Sequence, residues 1–180
     1  MDKVVIVING QGGSGKDTVC KITAKRYKVM NISTVDPIKD IATYAGWQGE
    51  KNDAARKMLA DLKQTFIAYN DLPLNYVLKK QKEFLESDDE IMFVHCRESE
   101  EIKKIVDNAL LKTVTLLIRR NDPSFKHKNK AYGNHADDDV EQYDYDFIYD
   151  GNNETIEQLE EDFNKFFDGV MLPVLNKQLK

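Results

Sequence analysis

Five aliphatic residues in succession, Val4 to Ile8, run almost directly into a loop with four glycines in six residues, Gly10 to Gly15. A strand with no polar alternation has no solvent face, which is the situation of a central strand in a parallel sheet covered on both sides. The rest of the chain keeps the alternation that such a sheet needs. A helix is expected from about Gly15 to Tyr27 and a second strand near Val29 to Val35. The next helix is expected to have Asp36 as N-cap, Pro37 at the first helical position and Gly46 just past its end. Ala55, Leu59, Leu62, Phe66 and Tyr69, with Met58 beside them, recur at helical spacing over Asp53 to Tyr69. Pro73 interrupts, and a further helix is expected over Leu74 to Leu85. Ile91 to Val94 reads as a third strand, followed by a helix that packs Ile102, Ile105, Val106, Ala109 and Leu110 on one face. Val114 to Ile118 and Phe147 to Tyr149 supply the fourth and fifth strands. Thr155 and Gln158 stand at capping-box spacing before a last helix that is expected to bury Ile156, Leu159, Phe163 and Phe167. The order predicts an α/β fold of three layers, with a parallel sheet of about five strands and helices on both faces.

Bulk properties narrow the function classes. A chain of 180 residues has the length of one domain with a full core. Its net charge of −5 argues against nucleic acid or an anionic membrane as a sequence-wide partner. Cys20 and Cys96 are too few for a disulfide framework or a metal cluster, and are expected as buried thiols in a reducing cytoplasm. No apolar stretch approaches membrane length, so a cytoplasmic location is expected.

The loop carries the most specific chemistry. Gly10, Gln11, Gly12, Gly13, Ser14, Gly15 and Lys16 satisfy G-x-x-x-x-G-K between a buried strand and a helix. Glycines let successive backbone N–H groups turn inward around an anion, and the helix N-terminus adds positive potential. Lys16 would then reach the β- and γ-phosphates of a nucleotide. The hydroxyl residue that commonly follows the lysine is replaced by Asp17, with Thr18 next. Asp17 is a candidate Mg²⁺ ligand, direct or through water, or a helix cap. The same stretch also satisfies G-x-G-x-x-G through Gly10, Gly12 and Gly15, with Asp36 available as a ribose-binding acid of a dinucleotide site. Lys16 and the lack of a second nucleotide-binding half weigh toward the phosphate loop. A GTPase switch would need N-K-x-D and D-x-x-G motifs, and neither occurs.

Gly13 to Thr18, GSGKDT, resembles the P-loop of the deoxynucleoside monophosphate kinases, within a wider group where animal-type phosphomevalonate kinases also carry a GKD loop. The similarity continues at Asp36-Pro37-Ile38-Lys39, at Gly46 to Lys51 followed by Arg56, Leu59 and Leu62, at His95-Cys96-Arg97-Glu98, and at Tyr145 to Tyr149. The resemblance implies a P-loop kinase fold, an acceptor pocket built from the helical region, and a lid over ATP. It implies ATP and Mg²⁺ as cofactors, and transfer of the γ-phosphoryl group to a phosphorylated small molecule, a (deoxy)nucleoside monophosphate first among them. Residue by residue, it gives the acceptor phosphate to Arg56 and Arg97, with Asp36 and Lys39 beside the acceptor, and the transferred group to Arg119 and Arg120. One departure stands out. Such kinases usually have Asp-x-Arg after the third strand, whereas this chain has His95-Cys96-Arg97. A nucleotide-binding protein that does not catalyse is therefore the second expectation.

The residues bear their own reading beside the resemblance. Phosphoryl transfer needs positioning and positive charge more than reactive side chains, and arginine forks match phosphate oxygens. Arg97 follows a buried strand at its carboxyl end, where open α/β sheets bind ligands. Arg56 lies beside an apolar stripe and suits a surface charge nearly as well. His95 reads as a satisfied core histidine rather than a base, and His127 and His135 lack metal-ligand spacing with a cysteine. Arg119 to Asp146 shows no periodicity, is basic then acidic, and is the candidate lid. A monomer or homodimer with a small-molecule acceptor as partner completes the expectation.

Overall fold

The computed structural model describes residues 2–120, 140–151 and 155–177. Five strands form one all-parallel sheet: β1 (Val4–Asn9), β2 (Val29–Ser33), β3 (Ile91–His95), β4 (Thr113–Arg120) and β5 (Phe147–Gly151), in the order β2-β3-β1-β4-β5. The helices are α1 (Lys16–Ala24), α2 (Asp36–Tyr44), α3 (Asp53–Asn70), α4 (Leu72–Glu86), α5 (Ser99–Asp107) and α6 (Ile156–Phe166). A π-helical segment, Phe167–Met171, leads into the short α7 (Leu172–Leu175).

The aliphatic run of β1 is explained by two apolar clusters on opposite faces. Val4, Ile6 and Ile8 point into one, with Val19, Cys20 and Ile22 of α1, Phe163 of α6 and Phe167 and Met171 beyond it. Val5 and Val7 point into the other, with Val77 and Phe84 of α4 and Ile102 and Ile105 of α5. Every residue of β1 is buried, so a polar substitution at any of Val4 to Ile8 would strand an unpaired group in the core. The edge strand β5 instead alternates, with Phe147 and Tyr149 buried and Ile148 and Asp150 exposed. Lys3 and Lys112 serve the far edge of the sheet, donating to carbonyls at the ends of α4 and α7 respectively.

The dinucleotide alternative meets its answer here. A Rossmann sheet places β2 against β1, whereas β3 lies between them in this chain. The three-layer P-loop architecture is the one present.

Several local expectations are corrected. Pro73 does not interrupt a helix but sits in the first turn of α4, where its missing N–H costs nothing. Asp36 is the first helical residue of α2 and not its cap; its Oδ2 accepts from the Ser33 backbone N–H at 2.7 Å. Ile156 is 64% exposed because it opens α6, while Phe163 lies on the inner face and is buried. The capping box of Thr155 and Gln158 is present, and Gly46 follows α2 with φ of 106°. The lid expectation for 119–146 falls largely on 121–139, outside the described residues. No helix among the described residues is long and apolar enough to cross a membrane. Cys20 and Cys96 are buried thiols.

Candidate functional site: the phosphate loop and the carboxyl edge of the sheet

Because all five strands run the same way, their carboxyl ends share one edge, where α/β sheets gather ligand groups. The turn from β1 into α1 is built there. Gly10, Gly13 and Gly15 have φ of 150°, 78° and 104°, values that side chains with a Cβ resist. At Gly10 space is lacking as well: a Cβ would lie 2.4 Å from the Ile118 carbonyl oxygen and 2.6 Å from Ser14 Oγ. The loop is therefore packed against the end of β4. Lys16 folds its ammonium back over the loop, donating to the Gly10 carbonyl and to the Gln11 carbonyl at 2.9 Å. Ser14 Oγ is buried with no hydrogen-bond partner. An orphaned buried hydroxyl in a glycine-rich loop at a helix N-terminus is what a phosphate oxygen would satisfy, so the loop fits a nucleotide phosphate.

Asn9 fixes the loop from below. It is fully buried; its Oδ1 accepts from the Gly10 N–H at 2.7 Å, and its Nδ2 donates to the Arg97 carbonyl at 2.9 Å and to Tyr145 Oη at 2.7 Å. The Tyr145 hydroxyl in turn donates to the Val140 carbonyl at 2.9 Å. One side chain thus ties the phosphate loop, the turn after β3 and the segment before β5. Composition and spacing do not single it out, although a lone amide ending an otherwise aliphatic strand is a usable signal. Asp146, in the acidic stretch before β5, accepts from both the N–H and the hydroxyl of Thr115, and is a structural group.

At the tip of β3, His95 lies on the α1 side of the sheet. Its Nε2 is 2.9 Å from Asn31 Oδ1 and 3.7 Å from Cys20 Sγ, and its Nδ1 is 4.0 Å from Asp17 Oδ1. Burial lowers its pKa, opposed by Asp17, so the ring is neutral at neutral pH. Lys16, Asp36 and Lys39 also act on that ring, which brings these expected site residues into one neighbourhood. Cys20 is inert, its thiol pushed up to about 12 chiefly by burial. Asp17, exposed in the first turn of α1, is an oxygen donor of the hard type that Mg²⁺ takes. Thr18 follows on the same turn.

The arginines occupy different stations. Arg97 stands exposed in the turn between β3 and α5, on the ligand edge. Arg119 and Arg120 are the last residues of β4, and alternation sends them to opposite faces. Ile118 belongs to the α1-side cluster, so Arg120 shares the face of the phosphate loop helix. Arg119 turns to the other face, where its Nε is 3.3 Å from Glu141 Oε1. Arg56 is in the first turn of α3, 3.6 Å from Asp53, with its side chain 41% exposed. Lys39 is exposed on α2.

Behind Arg97 lies a buried ionic cluster with no signature in the sequence. Lys63 of α3, 7% exposed, puts its Nζ 2.7 Å from Glu98 Oε2 and 2.9 Å from Glu101 Oε2. Burial alone would lower the lysine's pKa, but the attraction of Glu101 and Glu98 leaves it raised. Burial raises Glu101, while the ammonium prevails over burial at Glu98 and lowers it. Cys96 is held protonated, mainly by burial, and lies 3.7 Å from Glu101 Oε2. Lys63 therefore fastens the helical arm α3 to the turn that carries Arg97.

Neither a family model nor a curated protein sequence matches the chain. Solved structures match it in shape. The protein TT1252 from Thermus thermophilus is 14% identical with a TM-score of 0.55, covering 97% of this chain and 99% of that one. A sugar kinase from a Janibacter species is also 14% identical, with a TM-score of 0.51 and coverage of 99% and 100%. A shikimate kinase from Aquifex aeolicus is 13% identical over 96% and 99% of the two chains, with a TM-score of 0.47. The sheet order and its covering helices are those of the P-loop kinase fold.

Proposed function

We propose that this chain is an ATP-dependent kinase that transfers the γ-phosphoryl group to a phosphorylated small molecule, with a (deoxy)nucleoside monophosphate as the first acceptor to test. The observation that carries the reading is the loop itself: Gly10 has no room for a Cβ, Ser14 Oγ has no partner, and the Lys16 ammonium rests on the loop carbonyls. An arriving triphosphate would give the hydroxyl and the ammonium better partners than they now have. Arg97 after β3 and Arg120 at the end of β4 add positive charge at the same edge of the sheet. Two anions brought together in line need such charge, and an acceptor phosphate needs no base to attack. Asp17 is the side chain that would hold Mg²⁺, directly or through water, and the ion would supply positive charge against that of the phosphates.

His95 at the position of the usual acid favours a second reading, a protein that binds ATP without turning it over. One assay separates the two. ATP consumption is measured against nucleoside monophosphates and phosphorylated metabolites, alongside direct ATP binding. Acceptor-dependent consumption is the expected outcome. Binding without consumption for every acceptor selects the second reading, and absence of binding defeats both.

A further inference from the structure

The helix α3 has one buried residue in its 18, and that residue is Lys63. The half-buried stripe beside it, Ala55, Leu59, Leu62 and Phe66, is apolar, so an apolar residue at position 63 would simply have continued it. A buried ion pair adds little to stability over such a replacement, because desolvating the charges offsets their attraction. What the ammonium adds is direction. Its Nζ lies 2.7 Å from Glu98 Oε2 and 2.9 Å from Glu101 Oε2, so α3 fits only where one atom meets both carboxylates.

The turn so gripped is the one that carries Arg97. Both neighbours of Arg97 belong to the cluster: Glu98 through Lys63, and Cys96 through its thiol, 3.7 Å from Glu101 Oε2. The Arg97 carbonyl is held separately by Asn9 Nδ2 at 2.9 Å. A second ion pair, Lys104 of α5 with Asp71 at the C-terminal end of α3, measures 2.7 Å. The two pairs fix the course of the arm. From Asp71 back to Lys63 it runs beside α5 toward that helix's first turn, and its N-terminal turns continue past the carboxyl edge of the sheet. Arg56 stands seven residues before Lys63, two turns away on the same side of the helix and about 10 Å further out.

Resting on the kinase reading above, we propose that Lys63 is a positioning residue for the acceptor: it sets α3 against the Arg97 turn so that Arg56 and Arg97 close on one phosphate from two sides. Lys63 is buried and touches no ligand itself. The two arginines belong to separate elements, and a phosphate gripped by both forks needs the two backbones held at one separation. The arrangement suits an acceptor that already carries a phosphate dianion.

Wild type, Lys63→Met, Arg56→Ala and the double variant are compared, with Phe163→Leu of the opposite core cluster as a control for stability alone. ATP binding is measured directly. The acceptor kcat and KM are taken with whichever nucleoside monophosphate or phosphorylated metabolite wild type uses best, below the melting transition of the least stable protein. Lys63→Met is expected to raise the acceptor KM about 10–100-fold, the worth of one charge-assisted contact, with ATP affinity unchanged. Arg56→Ala should give a similar rise and the double variant no more than either alone, because a misplaced arm has no contact left to lose. Phe163→Leu should melt earlier and keep its KM. If Lys63→Met does not fold, Glu98→Gln loosens the grip while Glu101 keeps the ammonium paired. Removing an acid beside Arg97 would by charge alone lower the acceptor KM, whereas loss of positioning raises it. Losses that multiply in the double variant, an unchanged KM in Lys63→Met, a lower KM in Glu98→Gln, or a rise in Phe163→Leu equal to that in Lys63→Met would each overturn the proposal. Wild type that consumes ATP with no acceptor defeats the kinase reading, and this proposal with it, a result seen before any variant is made.

Discussion

At the scale of a residue, the glycines of the loop are not equivalent. Gly10 is squeezed between the Ile118 carbonyl and Ser14 Oγ at a φ of 150°, and one of its two obstacles is backbone that cannot rotate away. Gly12 would meet nothing within 4 Å if given a Cβ. Gly10→Ala should therefore lose about 1–3 kcal/mol of stability, from strain and from displacement of the β4 end. Gly12→Ala should stay within about 0.5 kcal/mol of wild type. Urea unfolding of the two variants measures this. Equal, small effects would mean that the loop does not bear on β4 as described. The spacing of the glycines in the sequence does not distinguish the two positions; only the closeness of β4 does, and that contact spans more than a hundred residues.

At the scale of an element, the visible signals were those written in local chemistry. The β1 run, the Thr155–Gln158 box and Gly46 after α2 each carry their cause within a few residues, and each is found as expected. The α3 helix shows the limit. Its spacing is helical and the helix is there, yet Tyr69 is 80% exposed and the most buried residue of the helix is Lys63. Periodicity reports that a face exists, while what covers the face depends on α4 and α5 arriving from elsewhere. The same limit hid Asn9, and the site arginines could be placed on the ligand edge but not aimed at a substrate. The Lys63 cluster yields a sharp test. Lys63→Met keeps the stem and removes the ammonium, leaving Glu98 and Glu101 facing each other without a counter-charge. A loss of about 3 kcal/mol is expected at neutral pH, the low end of the range for a broken buried pair, because Glu98 keeps solvent contact. In the variant both carboxyls would titrate above their unfolded values, which penalises the charged forms. The deficit should thus be full at neutral pH and shrink as pH falls toward about 4. In wild type the sign is opposite for Glu98, whose lowered pKa contributes stability that acid removes. Denaturant titrations at several pH values follow both trends; a deficit that does not change with pH would count against the ionic account.

At the scale of the whole molecule, the loop's partnerless hydroxyl and folded-back lysine make stability and ligand two faces of one property. A ligand that binds only the folded state adds RT ln(1 + [L]/Kd), about 2.7 kcal/mol at a hundred times Kd. For a domain of this length 1 kcal/mol moves Tm by about 2–4 °C, so saturating ATP should raise the wild-type Tm by roughly 5–11 °C. Lys16→Ala removes a charge-assisted contact worth about 1.5–3 kcal/mol to the bound phosphate. At the same ATP concentration the stabilisation should then fall to roughly 0.3–1.3 kcal/mol. Without ATP the variant should melt close to wild type, because Lys16 is half-buried at the loop and its bonds to the Gly10 and Gln11 carbonyls are each worth little net stability. Melting curves of both proteins over a series of ATP concentrations separate the two terms. If ATP raised the Tm of Lys16→Ala as much as that of wild type, the nucleotide would be binding somewhere other than the glycine loop, and the site would have to be sought elsewhere on the molecule.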